Sequence, residues 1–142
     1  MMRKTEYICV FLVGGIIYNL IEIAWRGYTH WSMTIAGGMC LVLIHIINQK
    51  MTGRSYLLKY FSCCIIITAV EFAVGMVVNV AFRLDVWDYS SIPGNIMGQI
   101  CPFFTLMWLL LSPPACFVSD MTRRFFDFLV KREFKNGKTV QT

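Results

Sequence analysis

Acidic side chains are scarce in this chain: Asp and Glu number 8 in 142 residues, and charged residues of both signs reach only 15%. Soluble domains average about 25% charged. A chain that is instead 57% hydrophobic, with a mean hydropathy of +0.61, cannot bury that much apolar surface in a water-soluble core of this size. Other absences narrow the function. No C-x-x-C spacing occurs among Cys9, Cys40, Cys63, Cys64, Cys101 and Cys116, which argues against a redox motif. Each of the six lies within or at the edge of an apolar run, where a small hydrophobe needs no partner. His30 has no second histidine near it and no metal-ligand spacing occurs, so no metal and no catalytic residue is assigned. Gly137, Lys138 and Thr139 look like the end of a phosphate loop, but Arg132 stands where that motif requires glycine and no strand precedes it. With no other nucleotide-binding segment, no cofactor is expected. Residues 1–24 have the basic start and apolar stretch of a signal peptide. They lack an A-x-A site, carry Asn19 and Glu22, and are followed by the bulky Trp25, so they are read as a retained first span.

What the chain does have is four apolar runs, at 7–25, 31–47, 61–82 and 96–118, each near the ~20 residues needed to cross a bilayer. The expected fold is all-α: a polytopic membrane protein whose four transmembrane helices form a bundle of two hairpins over residues 1–118. Pro113 and Pro114 are expected to end the fourth span. Residues 119–142 then form a basic cytoplasmic tail, in which Met121, Phe125, Phe128 and Leu129 alternate with Arg123, Arg124, Lys131 and Arg132 as in a helix lying in the headgroup plane. The net charge of +5 is a topology signal and not one for nucleic acid. Eleven basic residues (Arg3, Lys4, Lys50, Arg54, Lys59 and those beyond the fourth run, including Lys135 and Lys138) fall on one side, against Arg26 and Arg83 on the other. That asymmetry places both termini in the cytoplasm of a multi-pass protein of the cell membrane.

The few polar residues inside the runs carry the functional reading. Glu71 sits near the middle of the third run, where an ionised acid costs about 2.5–3.5 kcal/mol to insert, so it must face the bundle interior. Gly75 and Asn79 follow at i+4 and i+8, with Gly75 leaving room, Asn79 able to donate to a carboxylate, and the stripe continuing toward Arg83. In the first run Asn19, Glu22 and Arg26 share a helical face, and Glu22 can meet Arg26 one turn on. Tyr28 and Trp31 suit an aromatic belt, and His30 between them reads as an interfacial hydrogen-bonding residue. Gly37 and Gly38 allow close helix approach. His45, near the inner end, is within reach of the headgroups. Residues 83–99 hold most of the remaining polar groups, including Asp88, Asn95 and Gln99, with Trp87, Ile92 and Met97 expected to hold the loop against the membrane. Ser91 is a candidate cap, with Pro93 in the first turn of a helix. A loop folded over the bundle mouth follows, and such loops usually carry function. The candidate binding set is therefore Asn19, Glu22, Arg26, His30, Glu71, Asn79, Arg83, Asp88, Asn95 and Gln99.

These strings, namely Arg26 through Met33, Gly37 and Gly38, Glu71 with Gly75 and Asn79, and Trp87-Asp88-Tyr89-Ser90 through Pro93, Asn95, Gly98 and Gln99 to Trp108, resemble the Putative ABC-transporter type IV (CmpB-like) family of small bacterial membrane proteins over roughly residues 8 to 112. The resemblance implies a permease-like membrane subunit and brings no catalytic residues. Any ATP-driven role would need a separate ATPase, and four spans are few for a pathway, so a homo-oligomer or an ATPase partner within the lipid bilayer is expected. Two other readings compete: a membrane-embedded enzyme acting on a lipid headgroup through His30 or Asp88, and a structural or regulatory bundle whose polar stripe sets helix register.

Overall fold

The computed structural model describes the backbone of residues 2–139 and the side chains of residues 4–132. The side chains of Arg3, Lys135 and Lys138, and residues 140–142, lie outside the described residues. In chain order the elements are α1 (Met2–Arg26), α2 (Trp31–Lys50), α3 (Tyr56–Gly75), a π-helical turn (Met76–Ala81) that continues α3, and α4 (Pro102–Thr139). Among the described residues there is no strand, only an isolated bridge between Ile96 and Ile100. Four helical stretches, Lys4–Arg26, Trp31–Lys50, Tyr56–Ala81 and Pro102–Arg132, are long and apolar enough to cross a membrane, as a multi-pass membrane protein requires.

Local chemistry sets the helix ends. Gly27, at φ +81, closes α1 in the left-handed conformation that glycine adopts without steric cost, and its N–H returns to the Ile23 carbonyl at 2.9 Å. His30 caps α2: its Nδ1 accepts from the Ser32 N–H at 3.3 Å. Pro102 opens α4, where a missing N–H costs nothing. Ser91 and Pro93 do not start a helix. They lie in a chain of turns, because the Asn95 side chain donates to the Ser90 and Ile92 carbonyls and closes the backbone there.

α1 and α2 pack with falling register, Phe11 against Gly38, Gly14 against Gly37 and Gly15 against Thr34. A Cβ on Gly37 would stand 2.3 Å from Tyr18 Cβ and 2.7 Å from the Gly14 carbonyl oxygen, so this is backbone-to-backbone contact of the kind that drives association in lipid. The outer side of α1 presents Ile8, Leu12, Ile16 and Leu20, all exposed. A four-residue repeat of bare aliphatics suits a surface facing acyl chains. The core lies between α2, α3 and α4 and is built on Ile44, Cys63, Ile67, Val70, Trp108 and Cys116.

Two expectations fail here. Pro113 and Pro114 do not end the fourth helix, which runs through them to Thr139, so no separate tail helix follows. The contacts on either side hold it: Trp108 reaches α3 before the prolines, while Cys116 meets Cys63 and Ser119 meets His45 beyond them. Tertiary packing of this kind overrides a local breaker, as in other membrane helices where neighbours compensate for the lost amides. His45 does not extend to headgroups. It is 2% exposed, with Nδ1 at 2.9 Å from Ser119 Oγ and Nε2 at 3.1 Å from Glu6 Oε1. Beside it Asn48 donates to Asp120 at 2.7 Å. This cluster ties α1, α2 and α4 together at the end opposite the 82–101 connection.

Filling the α1–α2 contact should be costly. Gly37→Val is expected to destabilise the detergent-solubilised protein by about 1–3 kcal/mol, the usual range for overpacking, read as a fall in the midpoint of thermal unfolding. An unchanged midpoint would show that the helices do not approach this closely.

Candidate functional site

Glu71 projects from α3 into the bundle and is 5% exposed, as its position in an apolar run demands. Its two oxygens are held separately: Trp108 Nε1 on α4 donates to Oε2 at 2.7 Å, and the Tyr89 hydroxyl donates to Oε1 at 3.1 Å. Both donors are neutral. Burial, then the adjoining Glu71 carboxyl, push the Tyr89 hydroxyl above its ordinary pKa, so it stays protonated and keeps donating at any physiological pH.

Asn79 does not donate to a carboxylate. Its amide donates to the Trp87 carbonyl at 3.0 Å and to Gln99 Oε1 at 2.8 Å, while its own oxygen accepts from the Val86 N–H at 2.7 Å. The π-helical turn explains the difference. Bonding at i→i+5 inserts extra backbone into the turn and carries Asn79 off the α-helical stripe drawn from Glu71, toward the connection. Arg83 leaves the stripe as well, exposed and at φ +54. Gly75 does leave room, and Gln99 with Trp87 fills it: a Cβ there would meet Gln99 Oε1 at 2.5 Å and Trp87 Cζ2 at 3.0 Å.

The 82–101 connection is thereby pinned from within. Trp87 is turned inward instead of lying on the membrane, with Nε1 donating to the Gln99 carbonyl at 3.0 Å. Gln99 Nε2 donates to the Met97 carbonyl at 3.0 Å, and Asn95 Oδ1 accepts from the Gly98 N–H at 3.0 Å. Gly98, at φ +69, packs so tightly that a Cβ would stand 2.6 Å from Ser90 Oγ. Asp88 accepts from both the Ser90 hydroxyl and the Ser90 N–H, and these bonds hold its carboxyl below the ordinary carboxylate range.

From α1, Arg26 pairs with Glu22 as the spacing foretold. It also donates from Nη1 to the Val86 carbonyl at 2.5 Å and lies 4.6 Å above the Tyr28 ring, so one guanidinium joins helix and connection. Asn19 does not share this setting. It donates to Thr34 Oγ1 at 2.7 Å and accepts from Thr29 Oγ1 at 2.8 Å, fastening α1 to α2.

Of the ten candidate residues, Glu22, Arg26, Glu71 and Asp88 line one cavity of about 600 Å³. Asn79, Asn95 and Gln99 support the connection that forms part of its wall. Asn19, His30 and Arg83 lie elsewhere, and no hydrogen bond joins His30 to Asp88. The reading from sequence missed Tyr18 and Trp108 as lining groups, with rings 5.8 Å apart, and Phe104, stacked on Tyr89 at 4.6 Å. A chain with 15% aromatic residues scatters them too widely for spacing to identify those that converge. No group of three or more His, Cys, Asp or Glu side chains positioned to hold a metal occurs among the described residues.

A family model described as Putative ABC-transporter type IV matches residues 26–136. No curated protein and no solved structure matches the chain.

The Asp88 turn should titrate low. A carboxyl whose folded pKa is depressed contributes stability above its unfolded pKa and loses it as pH falls through the folded value. The carbon resonance of the Asp88 carboxyl, followed by NMR in micelles, is therefore expected to show a midpoint below 3.8, with the turn intact at pH 5. A midpoint at or above 3.8 would remove the Ser90 contacts from the turn.

Proposed function

This chain belongs to the Putative ABC-transporter type IV family, and on that premise we propose that it is a permease-like membrane subunit whose internal polar site is centred on Glu71. One observation carries the reading: a buried carboxyl held only by neutral donors in the wall of a cavity of about 600 Å³. That volume lies within the ~300–1,000 Å³ of small-molecule sites, and a buried ionisable group in a membrane bundle marks a pathway or a binding position. A purely structural bundle would close around such a group and leave no space beside it.

The positive-inside asymmetry supports a topology with both termini in the cytoplasm and the 82–101 connection, beside the cavity, on the outer side. The C-terminal half of α4, continuous with the spanning part, then emerges on the inner side with Met121, Phe125 and Phe128 exposed and its basic residues near anionic headgroups. Four spans and no nucleotide-binding motif call for a homo-oligomer or a separate ATPase. Headgroup enzymology is the weaker reading, because His30 is occupied in capping α2 and Asp88 in its own turn.

Glu71→Gln keeps the shape and most of the hydrogen bonding of the side chain while removing its charge. The substitution is expected to leave the protein in the membrane at its normal level and to abolish transport, or assembly with the copurifying partner. Normal transport and normal assembly in this variant would remove Glu71 from the function.

A further inference from the structure

Resting on the Glu71-centred site, we propose that the cavity selects an organic monocation, a quaternary or protonated amine carrying apolar substituents. Four charged side chains line it: Glu22, Arg26, Glu71 and Asp88. Arg26 is already committed, paired with Glu22 and donating to the Val86 carbonyl. Apart from Arg26, which is engaged by Glu22 and Val86, no lysine or arginine lines the cavity with Glu71. Asp88, exposed at the rim, keeps its charge to low pH because Ser90 holds it. The cavity therefore has one guanidinium against three carboxyls, and the deepest of the three lacks a countercharge. In hydrocarbon a bare carboxylate is costly, so a cation beside it supplies what the chain does not.

The rest of the lining decides what kind of cation. Trp108 and Tyr89 hold Glu71 edge-on through their N–H and O–H groups. Phe104 stacks on Tyr89 at 4.6 Å and stands edge-to-face with Trp25 at 6.0 Å. Trp87 and the exposed Tyr28 complete the aromatic wall. Ring faces attract cations within about 6 Å, and the aromatic share of the lining, with Trp25, Tyr28, Trp87, Tyr89, Phe104 and Trp108, supplies the apolar surface that an organic cation's substituents need. The chain makes one such contact itself, Arg26 over Tyr28 at 4.6 Å. A small hydrated inorganic ion would gain little here, since it needs several oxygen ligands and Glu71 is the one buried carboxyl facing the space. An apolar cation is matched in charge by Glu71 and in surface by the rings, and it has no tightly held hydration shell to lose on entry.

Tetraphenylphosphonium and tetraphenylborate test this, because they share size and shape and differ in sign. Binding to the purified full-length protein in neutral detergent is read by equilibrium dialysis and by quenching of tryptophan fluorescence. The phosphonium is expected to bind at least tenfold more tightly than the borate, and at least tenfold more weakly to Glu71→Gln than to the unaltered protein. Asp127→Asn, at the opposite end of the molecule, should leave its binding unchanged. Gel filtration and thermal unfolding establish that Glu71→Gln is folded, and Trp108→Phe provides a second variant expected to weaken binding. Equal binding of the two ions, tighter binding of the borate, or phosphonium binding that is absent or indifferent to Glu71→Gln would each overturn the proposal. None of those results touches the transport and assembly readout above, so the cation can fail while the Glu71 site stands.

Discussion

The bundle depends on two hydrogen bonds to one carboxyl. Glu71 is buried in the bundle, and its oxygens are satisfied by an indole from α4 and a phenol from the 82–101 connection. Each donor comes from a different part of the chain, so the acid fixes where α4 lies against α3 and where the connection folds. A buried polar group left without a partner is far more costly than the net worth of its hydrogen bonds, and that asymmetry gives a few polar atoms control over an otherwise apolar structure.

A second constraint is the closeness of α1 to α2. Hydrocarbon gives helices no hydrophobic reason to associate, so the paired glycines on each helix and the Asn19 contacts with Thr29 and Thr34 must hold that side together. The Glu6, His45, Ser119 and Asn48 cluster does the same at the far end. Both ends are thus tied by polar atoms, while the middle is packed with aliphatic side chains, sulfur and Trp108.

The parts of this arrangement legible from sequence were those governed by local rules. Span-length runs gave the four helices, the i, i+4 spacing gave the Glu22–Arg26 pair, and the cost of a charge in lipid turned Glu71 inward. The illegible parts were those in which tertiary structure bends a local rule. Asn79 was placed by a regular helical period, and the π-helical turn broke it. Pro113 and Pro114 looked like a stop and were not one, because contacts with α2 and α3 on both sides hold the helix together. His45 found partners on α1 and α4 that no spacing along α2 could reveal. Trp108 entered the sequence reading only as the end of a family-like string, because the acid it holds lies 37 positions away in sequence.

The two prolines have one further consequence. They supply no amide hydrogens, so the carbonyls four positions earlier, on Leu109 and Leu110, lose their rungs in the helical ladder. The two missing rungs fall just past the indole that grips Glu71, where Leu110 and Leu111 line the cavity. The aliphatic flank of the chamber thus lacks two backbone bonds of an ordinary helix, while one turn earlier Trp108 keeps its hydrogen bond to the carboxyl.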